Sequence, residues 1–219
     1  MFKYIRLRFL GMLLKPTQVY FRRKRMSQLI DFIDSFSGRR FRVLDLGGQP
    51  EIWSYIDHPL EIEILNLPGV ARKINSNLHK ISYIEGDACD LSCFLDKEFD
   101  LVFSNSVIEH VGNESKIEAF CYEACRVGKR IWIQTPSKYF PLEPHTGMPF
   151  WWYYPEWLKR YFINGWRAKL PAWTEMVEGT RCITKADLYR LLPNCSITVE
   201  RFMGLPKSYI AKSESPRPQ

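Results

Sequence analysis

A proton-handling group is a first requirement for much of enzyme chemistry, and two histidines stand where one could act. His110 ends the run Asn105-Ser106-Val107-Ile108-Glu109-His110, directly behind an apolar segment over 99–104. His145 lies in FPLEPHTGMPF, two residues after Glu143. Imidazole gains and loses a proton near neutral pH, although a histidine in a loop serves equally well as a structural hydrogen-bonder. His58 and His79 have no comparable setting and read as surface residues. The other chemical feature is FRVLDLGGQPE over 41–51: a short apolar run, a glycine pair, then Pro50 and Glu51 where a helix could begin. Strand, glycine turn and helix N-terminus together bring backbone N–H groups close to a nucleotide-like ligand. Glycine is needed there because a Cβ would block the turn or the ligand's approach.

Such groups need a scaffold that gathers them at one edge, and the hydrophobic pattern supplies it. Strands are expected over 42–46, 61–67, 81–85, 99–104 and 130–134, several of them ending in a polar residue or a glycine. Helical segments alternate with them, one marked by Ile117, Phe120, Cys121 and Ala124. That alternation implies an α/β domain with a parallel sheet and right-handed crossovers, helices covering both faces. Met26, Leu29, Ile30 and Ile33 predict a preceding helix over 18–36. Thr184, with Asp187 three residues on, caps a late helix that Pro193-Asn194 closes. Segments 196–202 and 208–211, with Gly204-Leu205-Pro206 between them, predict a C-terminal antiparallel hairpin. Between 137 and 183 the rhythm breaks into a stretch holding Phe150, Trp151, Trp152, Tyr153, Tyr154 and Trp157. A long irregular excursion is usually functional, and flat aromatic surfaces suit either a ligand pocket or a lid over the core.

The chain has 219 residues and a formal charge of +7. The first thirty residues hold eight basic side chains and no acid, which leaves 23 basic against 24 acidic residues elsewhere. Basic character therefore belongs to an N-terminal arm over 1–25, and the near-neutral body argues against a nucleic-acid partner. In that arm the apolar and basic residues do not separate on a helical wheel. It can meet an anionic membrane surface or pack over the body with its charges in solvent. No run is long enough to span a bilayer, and the apolar stretch after Arg8 is broken by Lys15 and Pro16 without a cleavage site. Cys89, Cys93, Cys121, Cys125, Cys182 and Cys195 include two CxxxC spacings but no CxxC, so they read as reduced structural thiols with no metal. The expected location is the cytoplasm, with peripheral contact at the inner membrane surface as the arm's alternative. The last residues, 213–219, are polar and Pro-rich and read as a disordered tail, leaving 26–212 as the domain.

Five stretches in this order carry a resemblance: VLDLGG, ILNL, GDACDL, FDLVFSNSVIEHV and the final FMGLPKSYIAK. Together they resemble the class I, Rossmann-like S-adenosylmethionine-dependent methyltransferases, over roughly 26–212. TPSKYFPLEPHTGMPF looks like a loop of a bacterial subgroup associated with glycan and surface-polysaccharide enzymes. The resemblance implies S-adenosylmethionine as cofactor, with Asp45, Gly47 and Gly48 facing its methionine part. Asn66 would meet the ribose where that family usually has an acid, Asp87 and Ala88 would read the adenine edge, and Ser104 would floor the pocket. The implied reaction is methylation, most simply of an oxygen on a small-molecule or glycan-type acceptor. Such an acceptor must lose a proton, for which His110 and His145 are the candidate catalytic residues. Glu143, Phe150, Trp151 and Tyr153 are the candidate acceptor contacts. The GGQPE turn and Asn66 depart from the family pattern and raise an alternative class, a degenerate fold binding a partner or membrane without catalysis.

Overall fold

The computed structural model describes residues 19–34, 41–70, 76 and 78–213. Five parallel strands form as expected: β1 (Arg42–Leu46), β2 (Glu61–Asn66), β3 (Lys80–Glu85), β4 (Leu101–Asn105) and β5 (Ile131–Pro136). With β6 (Cys195–Phe202) and β7 (Leu205–Ser213) they make one sheet in the order β3-β2-β1-β4-β5-β7-β6. β1 lies at the centre of the five parallel strands, paired in parallel with β2 and β4. β7 runs antiparallel to both β5 and β6. The order reverses at β1, so the crevice beyond the carboxyl ends of β1 and β4 is where an open α/β sheet takes a ligand.

Alternation along the strands divides the core in two. Leu44, Leu46, Val102, Ile131 and Ile133 face α2 (Glu114–Val127) and α5 (Lys185–Leu191). Val43, Ile62, Ile64, Phe103 and Trp132 face the other way, onto α1 (19–34) and Trp53. α1 buries Met26, Leu29, Phe32 and Ile33, a stripe at helical spacing. α2 is capped by Asn113, whose side chain accepts from the Lys116 N–H, and buries Ile117, Phe120, Cys121 and Ala124 as its sequence spacing required. The Thr184/Asp187 capping box opens α5 as expected. Burial pushes the Cys89 and Cys121 thiols up to about 12, which suits packing more than reactivity. No described helix is long and apolar enough to cross a membrane.

Four expectations change. Behind the glycine pair stands only a 3-10 helix, Pro50–Tyr55, whose Gln49 cap makes no side-chain cap bond; extended Ile56 ends it. The hairpin turns at Met203 and Gly204, both with positive φ, and Leu205 and Pro206 already belong to β7. A two-residue turn with both φ positive matches the twist of its strands, which a turn centred on Pro206 would not. His79 is buried, with its Nε2 3.0 Å from the Trp53 carbonyl oxygen, and is not a surface residue. Segment 137–183 is largely helical, containing α3 (Glu156–Arg167) and α4 (Pro171–Gly179). Their apolar faces meet each other around Trp151, Trp166 and Val177, with the Trp166 and Trp173 rings 4.9 Å apart. This satellite core hides from a reading that looks for one face turned to the sheet.

The expected arm and domain boundary at 25/26 falls inside α1, and the described part of the arm is helical. Residues 1–18 and 214–219, which hold most of the arm and nearly all of the tail, lie outside the described residues.

Candidate active site

Asp45, the next-to-last residue of β1, is fully buried. Its Oδ2 accepts a 2.8 Å hydrogen bond from Trp53 Nε1, while Oδ1 has no partner among the described residues. Burial pushes the carboxyl up to about 7, against the opposing pull of the Trp53 N–H. The glycine pair lies directly over it. A Cβ on Gly48 would stand 1.8 Å from Asp45 Oδ2, and one on Gly47, at φ +71°, 2.7 Å from Val107. The Gly47 N–H donates to the Leu65 carbonyl at 2.8 Å, and Asn66 Nδ2 donates to the Gly48 carbonyl at 3.0 Å. Asn66 thus pins the turn, a task an amide donor performs and a carboxylate cannot. Gln49 Oε1 is a second buried acceptor without a partner. Two buried acceptors without a partner among the described residues thus stand at a turn that admits no side chain, an arrangement that favours a donor beside them.

From this turn a cavity of about 990 Å³ opens across the carboxyl ends of β4 and β5. One side is the turn itself (Gly47, Gly48, Gln49) with Phe103; the next is Asn105, Ser106, Gln134 and Pro136 from the strand ends. Phe140, Leu142, Glu143 and His145 close it from the insertion, and Phe21, Arg22, Arg25, Phe202 and Lys207 from α1 and the hairpin. Arg25 and Glu200 form a buried ion pair in this wall, with side chains 5% and 3% exposed and Nη2 to Oε2 at 2.6 Å. Arg25 also bonds Asn105, and Glu200 accepts from Ser208. Burial and then the neighbouring Arg25 charge push Lys207 down to about 8, with its ammonium 4.3 Å from the Phe21 ring centroid.

At the insertion end the two histidines meet. His110 Nε2 and His145 Nε2 are 2.9 Å apart. His145 Nδ1 donates to Glu143 Oε1 at 2.6 Å, and Glu143 Oε2 accepts the Thr146 N–H at 2.6 Å. His110 Nδ1 lies 3.2 Å from Thr180 Oγ1. Burial and the adjacent His145 push His110 down to about 4. Burial also disfavours charge on His145, yet the bond to Glu143 and its charge raise it, and the same pair holds Glu143 below the usual range despite its burial. Glu109 lies alongside, 1% exposed, with Oε2 taking the Thr135 hydroxyl at 3.0 Å and Oε1 without a described partner. Desolvation pushes Glu109 up to about 7.

The remaining sequence candidates lie elsewhere. Ser104 is fully buried and donates to the Leu46 carbonyl at 3.4 Å. Asp87 accepts the Cys89 N–H and pairs with Lys116 at 2.8 Å, which holds its carboxyl below the usual range. Asp45, Asn66, Asp87, Ala88, Ser104 and His110 are not part of the cavity lining; Asp45 lies beneath the glycine turn and His110 behind His145. Phe150 and Tyr153 are exposed, and Trp151 sits in the satellite core, so Phe140, Leu142 and Phe202 provide the apolar wall instead. Sequence reasoning missed Trp53, Glu109, Thr180 and the Arg25–Glu200 pair. Arg25 carried a signal: it shares the apolar stripe of α1 with Phe21 and Leu29 at i, i+4 spacing.

Residues 65–131 match a methyltransferase domain model. Among solved structures, an S-adenosylmethionine-dependent methyltransferase from Archaeoglobus fulgidus superposes with a TM-score of 0.52 at 16% identity, over 88% of this chain and 94% of its own. An O-methyltransferase family protein from Burkholderia thailandensis does so with 0.50 at 15% identity, over 87% of this chain and 57% of its own. The CurJ carbon methyltransferase gives 0.54 at 10% identity, over 89% and 54%. No curated protein matches the chain. At these identities the likeness is one of fold. The match to a methyltransferase domain covers residues 65–131, and the chain has the α/β Rossmann-like fold seen in the S-adenosylmethionine-dependent methyltransferases, closed by an antiparallel hairpin. S-adenosylmethionine is the cofactor that this fold and domain go with.

Proposed function

We propose that this protein methylates an oxygen of a small-molecule or glycan-type acceptor held in the cavity between the glycine turn and the insertion. One observation carries the reading: the same cavity is lined by Gly47 and Gly48 at one end and by His145 and Glu143 at the other. When bound, S-adenosylmethionine supplies an activated methyl group on a sulfonium. Asp45 and Gln49 would receive its ammonium, and the bare glycines would let its backbone-facing side come close. His110 and His145 stand at the acceptor end, where the acceptor hydroxyl must lose its proton. Phe21, Phe140 and Phe202 suit a sugar or aryl ring. Arg22 and Lys207 suit a carboxylate or phosphate on that acceptor. The glycan-associated role rests on the TPSKYFPLEPHTGMPF loop, whose Phe140, Glu143 and His145 line the cavity.

Calorimetric titration with S-adenosylhomocysteine is the direct test. Saturable binding, weakened by Asp45→Ala, is the expected result. A folded protein that takes up none at millimolar ligand refutes the reading. The non-catalytic alternative draws on one observation, the Lys116 clasp on Asp87. It predicts that Asp87→Ala leaves biological activity intact.

A further inference from the structure

The structure assigns a divalent transition-metal site to Glu109, His110 and His145. One ligand atom from each of the three residues lies within 4.8 Å of the others. Hydrogen bonding decides which histidine atoms face inward. The Thr180 hydroxyl gives its proton to the Met176 carbonyl at 2.8 Å, so its lone pairs face His110 Nδ1 at 3.2 Å, and that nitrogen carries the ring proton. His145 Nδ1 carries its proton toward Glu143. Unless one ring carries a second proton, both Nε2 lone pairs then face the same 2.9 Å gap, a repulsive arrangement that a positive centre beside them relieves.

The shape of the gap favours an ion. The ring centroids are only 4.6 Å apart with the planes at 85°, too close for two rings set end to end along a straight N–H···N line. Their nitrogens are therefore inclined, as two ligands of one centre are. With each nitrogen about 2.05 Å from an ion, within the usual imidazole range, the 2.9 Å separation subtends roughly 90°, the cis angle of an octahedral or five-coordinate centre. The third ligand is independent of the pair. Glu109 Oε1 is buried without a described partner, while Thr135 holds Oε2 and fixes the carboxylate. Glu143 and Thr180 anchor the far ring nitrogens, the supporting shell that metal-bound imidazoles require. His145 also lines the cavity, which gives an ion and an acceptor a way in.

Two histidines and one carboxylate leave coordination positions open. In the role that rests on the proposed methyltransferase reading, an acceptor hydroxyl binds there. An ion there would favour loss of the hydroxyl proton to solvent water, leaving the oxygen free to accept the methyl; His110 and His145 would then serve as ligands and not as the base. A metal lowers the pKa of a bound oxygen acid enough for this at neutral pH.

The test is Co²⁺ titration of the full chain by visible absorption and calorimetry, with the metal content of the purified protein measured by mass spectrometry. One Co²⁺ per chain is expected, with ligand-field bands that Zn²⁺ displaces. His110→Ala and His145→Ala should each weaken binding at least tenfold, and Glu143→Gln by roughly 10–100-fold through loss of ring support. A folded wild-type protein that takes up neither ion overturns the assignment, as do histidine variants that bind like wild type. A low-field ring N–H signal in proton NMR with no metal uptake overturns it too, since the two nitrogens would then share a proton. S-adenosylhomocysteine titration of the same sample reads the methyltransferase proposal separately, so failure of one leaves the other standing.

Discussion

Arg25→Met should destabilise the protein more than any exposed charge substitution. The guanidinium and the Glu200 carboxylate are 5% and 3% exposed, joined by two nitrogen–oxygen contacts of 2.6 and 3.2 Å. Removing the cation leaves Glu200 buried with Ser208 as its remaining hydrogen-bond donor. Breaking one side of a buried pair costs about 3–5 kcal/mol, whereas replacing both partners with apolar groups is close to neutral. For a domain of this size that is a fall of roughly 6–20 °C in Tm. Arg25→Met should therefore fall by that amount, and Arg25→Met/Glu200→Leu should recover most of it. The pH dependence has a definite sign. The Arg25 charge and hydrogen bonds outweigh burial and hold Glu200 below its unfolded value. The pair's contribution is thus complete above the ordinary glutamate range and is lost as pH falls through the folded pKa, so wild type and Arg25→Met converge in acid. Chemical denaturation across pH reads both effects. A single variant costing under about 1 kcal/mol, the level of an exposed pair, refutes the argument, and so does a double variant no better than the single.

Gly48→Ala puts a Cβ 1.8 Å from Asp45 Oδ2, so S-adenosylhomocysteine affinity by calorimetry should drop at least tenfold, the scale of about 1.4 kcal/mol. Asp45→Asn should likewise weaken that binding yet raise Tm at pH 8. The carboxyl's shift from 3.8 to about 7 means folding opposes its ionisation, a penalty growing as pH rises to 7 and worth up to about 4 kcal/mol. Equal Tm values at pH 5 and 8 for the variant relative to wild type would remove that account. Lys207→Met should raise KM for an anionic acceptor with kcat little changed, and the wild-type KM should climb as Lys207 loses its proton above about pH 8. A KM independent of Lys207 would place the acceptor's charge elsewhere.

The sheet was legible because each strand carries its own signal: a buried parallel strand reads as a local apolar run, and each crossover helix announces its core face. The site was legible only where a strand end or a glycine marks it, as at Asp45, Gly48 and His110. The His110–His145 contact spans 35 residues and requires the insertion to fold back, which nothing local encodes. Asn66 shows a contact that its place in the sequence did not signal. Its amide donates to the Gly48 carbonyl at 3.0 Å, a bond that a carboxylate at this place could not make. The aromatic residues misled because their pattern says "buried" without saying against what. Trp151 packs on Trp166, with centroids 5.4 Å apart, and the cavity wall falls to Phe140 and Leu142.

The way the insertion is tied down bears on how the site works. Its entrance is held by β7: the Ser137 N–H donates to the Lys207 carbonyl at 3.0 Å, and Ser137 Oγ bonds the Tyr209 hydroxyl at 2.9 Å. Its exit is held by the segment after β4, where the Arg181 N–H donates to the Glu109 carbonyl at 2.7 Å and Thr180 meets His110. Between these clamps, the Glu143–Gly147 turn carries its own bonds, from the Thr146 N–H to Glu143 Oε2 and from the Gly147 N–H to the Glu143 carbonyl. The loop bearing His145 is therefore fixed to the short 3-10 turn Ile108–His110 that follows β4. α3 and α4 instead pack chiefly on each other through the satellite core. The His110–His145 contact is thus tied to the sheet by both clamps, the kind of support that holds a site's side chains in fixed geometry.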